Sequence, residues 1–215
     1  MLGRLITFEG GEGCGKSTQI KRLASQLTDL GYRVRELREP GGTALGEKIR
    51  FLLKHDPAGQ GMVPEAELLL MNASRAQLVR EVIRPALESG EIVLCDRFYD
   101  STVAYQSGGR GLSLDLVNSV IGHAVGETRP HLTLLLQVGR EEARRRVASR
   151  TAATAGPVDR FEQEKEAFFL RVESAYEQIA REESSRVRCI PAEGEPEAVS
   201  ARIWEAVEKI LPKSR

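Results

Sequence analysis

The ten residues from Phe8 to Ser17, FEGGEGCGKS, set Gly10, Gly15, Lys16 and Ser17 in the order G-x-x-x-x-G-K-S. This spacing suits the capture of a polyphosphate. Bare backbone N–H groups can ring several negative charges only where side chains are absent, and glycine supplies both the close approach and the unusual φ angles. Gly10, Gly11, Glu12, Gly13, Cys14 and Gly15 are expected to form the ring, and a helix opening at Lys16, Ser17 and Thr18 turns its free N–H groups toward the same anion. Lys16 is expected at the β- and γ-phosphates and Ser17 on Mg²⁺.

Four further segments carry polar residues whose types suit a second ligand. Arg38-Glu39-Pro40-Gly41-Gly42-Thr43 places an Arg-Glu pair before a turn, with Thr43 able to cap a following helix. Met71 and Arg75 are four apart and share a helix face, where a soft apolar side chain beside a guanidinium suits a flat ring with polar edges. Asp96-Arg97-Phe98-Tyr99-Asp100-Ser101-Thr102-Val103-Ala104-Tyr105-Gln106 ends an apolar run with an acid suited to Mg²⁺ and a base suited to a second phosphate. Thr102 and Gln106 share a helix face there, with Tyr105 on a neighbouring one; so many hydrogen-bonding groups together imply a polar ligand. Arg140–Arg150 is arginine-rich. Glu141 and Glu142 lie four residues before Arg145 and Arg146, which marks part of it as a salt-bridged surface, while Arg146 and Arg150 share a face on which we expect no such partners. The flexible Thr151–Pro157 follows, so that a lid over about 146–160 would swing arginines across phosphates. Asp159 and Glu162 have capping-box spacing at the head of a helix, and Arg160 between them is the better phosphate ligand.

These segments need a scaffold that brings them together. Short apolar runs at Leu5–Glu9, Arg33–Arg38, Ile92–Asp96, Leu132–Val138 and Val187–Ile190 read as strands. Between them lie helical patterns at Lys16–Leu30, Leu45–Lys54, Pro64–Ser89, Ser113–Gly126, Arg140–Arg150, Asp159–Glu183 and Pro196–Leu211. The alternation predicts an α/β fold of three layers, a five-stranded parallel sheet with helices on both faces, and ligands at the carboxyl ends of the strands. The key polar residues fall at those ends. The chain of 215 residues suits one domain. Lys+Arg and Asp+Glu both number 31, so no net charge attracts nucleic acid or an anionic membrane. Cys14, Cys95 and Cys189 have no paired metal-ligand spacing, no apolar run is long enough to span a membrane, and no secretory pattern opens the chain; a cytoplasmic protein is expected.

Together the segments resemble the thymidylate kinase family, from FEGGEGCGKST through REPGGT and the Met71–Arg75 helix to DRFYDSTVAYQ and DRFE. The resemblance implies the fold of the nucleoside monophosphate kinases, with ATP as phosphoryl donor, dTMP as acceptor, Mg²⁺ on Ser17 and Asp96, and a homodimer formed through helices. It implies Arg97 on the dTMP phosphate with Arg38, Glu39 and Arg50 nearby, Arg75 and Gln106 at the thymine edge, Thr102 by the ring, Tyr105 against the sugar and Glu12 near the 3′-OH. Gly13 stands where some members carry an arginine, which shifts the catalytic arginines to the lid, at Arg150 and Arg146. Met71 stands where the family places a phenylalanine, giving up aromatic stacking of about 0.5–1.5 kcal/mol. The other readings are a kinase for a different pyrimidine monophosphate, or a GTPase switch. Asp56-Pro57-Ala58-Gly59 has the D-x-x-G form of the latter, but it follows a helix, and the chain has no N-K-x-D.

Overall fold

The computed structural model describes residues 3–153, 160–161 and 163–212, and only the backbone of 150–153. Five parallel strands run in the order β2-β3-β1-β4-β5: β1 Arg4–Glu9, β2 Val34–Arg38, β3 Ile92–Asp96, β4 Leu132–Gln137 and β5 Val187–Pro191. Parallel neighbours need crossovers, and the helical segments between strands supply them. The expected strands recur with ends shifted by one residue or fewer.

Period-two alternation divides the sheet into two unlike faces. Ile6, Phe8, Ile92, Leu94, Leu132, Leu134 and Leu136 point to one side, where α1 (Lys16–Asp29) and α9 (Pro196–Val207) cover them through Ile20, Leu23, Leu27, Val199 and Ile203. The buried centre of this face is apolar. The opposite face carries Leu5, Val93, Cys95 and Leu135, packed under α3 (Pro64–Leu78), α6 (Leu114–Val125) and α8 (Glu166–Glu182). Its centre, however, holds Thr7, Glu9 and Thr133, all fully or almost fully buried.

Buried polar groups need partners, and here they hold a corner of the chain in place. Thr7 and Thr133 are cross-strand neighbours whose hydroxyls meet at 2.8 Å. The Thr133 hydroxyl also donates to Asp100 (3.2 Å) on the short helix α5 (Tyr99–Thr102). Arg186, just before β5, clamps both Asp100 oxygens at 2.8 Å. The segment after β3 is thereby fastened to the sheet from the side of β4 and β5.

Three helices depart from expectation. Pro64–Ser89 was expected as one helix; the chain runs as α3, a π-helical turn Val79–Ile83 and α4 (Arg84–Glu88). Pro85 offers no N–H and crowds the carbonyl four residues earlier, so the widened turn accommodates it. After α5 the winding also widens, over Val103–Gly109. α8 begins at Glu166, not at Asp159, with Lys165 as its cap; Asp159 and Glu162, expected as a capping pair, lie outside the described residues. α2 (Ala44–Lys54) starts as expected, with Gly46 N–H donating to the Thr43 hydroxyl at 2.9 Å.

Breaking one side of the Asp100–Arg186 pair leaves an uncompensated buried charge and should cost about 3 kcal/mol. In urea unfolding, R186M should lower the midpoint without changing the m value, and D100N/R186M should recover a large part of the loss. Equal midpoints for R186M and wild type would show that the pair does not hold the corner.

Candidate active site

A cleft of about 690 Å³ opens at the carboxyl ends of β1, β2 and β3. One wall is the loop after β1. Gly15 caps α1 in the left-handed region (φ 94°), and Gly13 also has positive φ (73°). A Cβ on Gly13 would lie 2.5 Å from the Ala143 carbonyl oxygen of α7 (Arg140–Ala153), which gives a steric reason for glycine there. Lys16 folds back onto the loop, donating to the carbonyls of Gly10 (3.1 Å) and Gly11 (2.9 Å). Glu12, Gly13, Gly15, Lys16, Ser17 and Thr18 line the cleft; Cys14 instead packs into the apolar core. The Ser17 hydroxyl donates to Asp96 (3.2 Å), bringing together the two expected Mg²⁺ ligands.

Arg97 stands on the opposing wall. It is the one non-glycine residue with positive φ (71°) among those described, a conformation costly for an L-residue. Its backbone N–H donates to Phe8 (2.9 Å), and the next N–H, of Phe98, donates to the Glu9 carboxylate (2.8 Å). The guanidinium donates to the hydroxyls of Ser101 (3.1 Å) and Tyr176 (3.2 Å), and each of these donates in turn to Glu9 Oε2, at 2.6 and 2.8 Å. The Tyr105 ring lies 5.1 Å from the guanidinium, within an aromatic cluster with Phe161, Phe168 and Tyr176. Burial and the neighbouring Asp100 charge push the Glu9 carboxyl up to about 7, against the opposing pull of Arg97, Ser101 and the Phe98 N–H.

Met71, Arg75, Thr102 and Gln106, the residues expected at a base, also line the cleft. Arg75 is almost wholly buried, and four of its N–H groups donate hydrogen bonds within the protein. Nε and Nη2 meet Glu39 Oε2 (2.7 and 2.6 Å), Nη1 meets Asn72 and Thr102 (both 2.9 Å), and Nη2 also meets the Phe98 carbonyl (3.2 Å). The expected reader of a base edge lines the cleft and is held there by protein partners, bracing Thr102 and Glu39 in turn. Glu39 Oε1 is buried without a partner, and burial outweighs Arg75 in raising that carboxyl above its ordinary range. Arg38 and Arg50 also reach the cleft, Arg38 paired with Glu47 (3.0 Å) and Arg50 donating to the Pro40 carbonyl (3.0 Å).

The lid arginines separate. Arg146 lines the cleft with its Nη1 3.9 Å from the Cβ position of Gly15, so it hangs over the phosphate loop. Contrary to expectation it has an acidic partner, Glu142 (2.6 Å), and it also reaches the Ala192 carbonyl (3.2 Å). The side chain of Arg150 and, of the expected lid, residues 154–159 lie outside the described residues. Arg160 corrects the expectation of a phosphate ligand. It pairs with Glu67 (2.5 Å) and the Leu53 carbonyl (3.1 Å), and it does not line the cleft.

Glu9, Glu67 and Tyr176 were not foreseen. Glu9 had a signal, an acid closing an apolar strand, which is the feature that singled out Asp96. Tyr176 lies on the apolar stripe of α8, where spacing reports burial but not the partner of its hydroxyl.

A family model described as thymidylate kinase matches residues 8–203. The chain is 50% identical over 207 residues to the thymidylate kinase of Syntrophotalea carbinolica, covering 96% of this chain and 95% of that one. It is 47% identical over 213 residues to that of Pseudomonas syringae pv. tomato, covering 99% and 97%. The crystal structure of thymidylate kinase from Ehrlichia chaffeensis superimposes with a TM-score of 0.77 at 30% identity, over 96% of this chain and all of that one. With a phosphate loop on one wall and a strained arginine facing it, the chain belongs to the thymidylate kinase family.

Proposed function

We propose that the protein transfers the γ-phosphoryl group of ATP to dTMP, giving ADP and dTDP. The observation that carries this reading is that Lys16 and Arg97, on different strand ends, open onto one cleft whose far side is lined by Met71, Thr102 and Gln106. An oxygen of the dTMP phosphate attacks Pγ in line, and the bond from Pγ to the β,γ-bridging oxygen breaks. A phosphate monoester has a second pKa of about 6, so the acceptor is largely dianionic at neutral pH and needs no general base. The obstacle is repulsion between two anions, which positioned cations overcome.

Lys16 exchanges its loop carbonyls for β- and γ-phosphate oxygens. Arg97 holds the acceptor phosphate, with Arg38 and Arg50 at the rim. Arg146 already hangs over the loop, and Arg150, one turn further along α7, joins it over the moving group. Ser17 and Asp96 would hold Mg²⁺. Among the described residues no three His, Cys, Asp or Glu side chains converge as a metal site; one hydroxyl and one carboxylate are the hard donors that suit an ion bound largely through substrate phosphates. When bound, that ion supplies positive charge at the β- and γ-phosphates. Tyr105 lies against the sugar and Glu12 near its 3′-OH.

No helix among the described residues is long and apolar enough to cross a membrane. We place the enzyme in the cytoplasm, in keeping with its free thiols, and as a homodimer, for which exposed Leu45 and Phe51 on α2, Leu69 on α3 and Leu116 on α6 offer apolar surface.

A panel of dTMP, dUMP, UMP and dCMP with ATP and Mg²⁺, read by coupled ADP release, tests the activity. dTMP should give the highest kcat/KM, and K16A should lose at least about 100-fold in kcat while keeping its fold by circular dichroism. No turnover of dTMP would reject the reading. M71F should lower the KM for dTMP between about two- and tenfold by adding ring stacking; an unchanged KM would place residue 71 off the base.

Glu9 gives a pH signature. The relay from Arg97 through two hydroxyls needs an ionised carboxylate to accept their protons. Below about pH 7 Glu9 binds a proton and the relay slackens. Wild-type kcat/KM for dTMP should therefore fall as pH drops through about 7, above the acceptor's own titration. E9Q should lose that step and remain low throughout, by about tenfold or more at pH 8. A step at pH 7 retained in E9Q would assign it to another group.

A further inference from the structure

Glu67 lies fully buried on α3, one turn before Met71 and two before Arg75, and so faces the same side. Its Oε1 accepts from the Gln106 side-chain amide (2.8 Å) and from Arg110 Nε (3.1 Å); its Oε2 accepts from Arg110 Nη2 (3.0 Å) and Arg160 (2.5 Å). Burial alone would favour the neutral acid. The hydrogen bonds from Arg110 and Gln106 and the charges of both arginines outweigh it and hold the carboxyl below its ordinary range.

An ionised carboxylate has no hydrogen to give, so Gln106 can meet it only through its NH₂ group. The amide carbonyl is left over. It accepts no hydrogen bond from any described residue, and Gln106 lines the cleft. We infer that Glu67 is a positioning residue that sets substrate specificity, by pinning the Gln106 amide in the one sense that offers Oε1, with the second Nε2 hydrogen beside it, to the base.

This inference rests on the proposed pyrimidine monophosphate site. An acceptor beside a donor matches the N3–H and adjacent carbonyl of thymine or uracil. Cytosine presents the reverse, a bare N3 beside an amino group, and would need the amide turned over. The turned amide would set Oε1 against the Glu67 carboxylate, oxygen to oxygen, and leave buried polar groups unpaired. Penalties of that kind discriminate far better than a missing methyl group does.

The test is the ratio of kcat/KM for dTMP to that for dCMP in wild type, E67Q, Q106A and E67Q/Q106A. A glutamine at 67 can donate or accept, so Gln106 becomes free to turn. In E67Q the ratio should fall by at least about tenfold, through a gain for dCMP as well as a loss for dTMP. In the Q106A background E67Q should not change it further. A loss of activity on both nucleotides with the ratio unchanged would make Glu67 a packing residue only and overturn the inference, as would an equal fall of the ratio with and without Gln106. Should E67Q not fold, E67D keeps the charge beside Arg110 and Arg160 but draws it back from Gln106, and its ratio should also fall; an unchanged ratio in whichever variant folds is an overturning result. Wild-type enzyme inactive on dTMP would instead reject the underlying reading.

Discussion

The hydrogen bonds that converge on the Glu9 carboxylate are the constraint on which the cleft depends. Glu9 is the last residue of the central strand and the neighbour of Gly10, where the phosphate loop begins. It is fully buried, and its partners come from the turn after β3, from α5 and from α8. One side chain thus joins the donor-phosphate loop, the strained Arg97 and the helix closing that face. The left-handed backbone at Arg97 is tolerable because its own N–H and the next are both taken up by β1. Strain of this kind persists where the surroundings over-determine it, and here they do so at the residue proposed to meet the acceptor phosphate.

Three buried glutamates carry most of the site's geometry, and their protonation preferences follow from the number of cations each receives. Glu67 meets two guanidinium groups and an amide, and stays ionised. Glu39 meets one guanidinium through a single oxygen, which does not offset its burial. Glu9 is pushed up to about 7 by burial and by the Asp100 charge, which its neutral donors and an Arg97 reached only through hydroxyls do not offset. Each supports a cleft residue from behind: Glu9 supports Arg97, Glu39 supports Arg75, and Glu67 supports Gln106. Losing such a carboxylate does more than delete a contact, since it strands the buried cation or donor it served.

The phosphate loop and the strands were legible because they are local. Gly-x-x-x-x-Gly-Lys-Ser needs only its own backbone to make a ring of N–H groups, and the apolar runs at Leu5–Glu9 or Ile92–Asp96 need only period and composition. Thr7 and Thr133 illustrate what was not legible: each looks like an ordinary β-branched strand residue, and only the register of β1 on β4 turns them into a polar pair beneath Asp100. Arg160 failed for the same reason. Its sequence neighbours suggested a lid, but its partner lies 93 positions away on α3. The start of α8 differs from the expected Asp159 because the helix begins at Glu166, two residues before Phe168 joins the apolar cluster of Leu135 and Ala104.

The two walls of the cleft therefore differ in how their chemistry is encoded. The phosphate wall is built from backbone and a few invariant geometric needs; Gly13 cannot gain a side chain without striking α7. The wall proposed to meet the base is built from side chains whose orientation is set by others further out. Gln106 has no preferred sense of its own, since a carboxamide presents donor and acceptor alike, and Arg75 gives four of its N–H groups to protein partners. On the proposed reading, a substitution behind that wall would change which ring is accepted while every residue lining the cleft stays the same. Motif matching at the cleft then identifies a phosphoryl-transfer site more readily than it identifies the base, because the information that orients the reader is buried one layer beneath it.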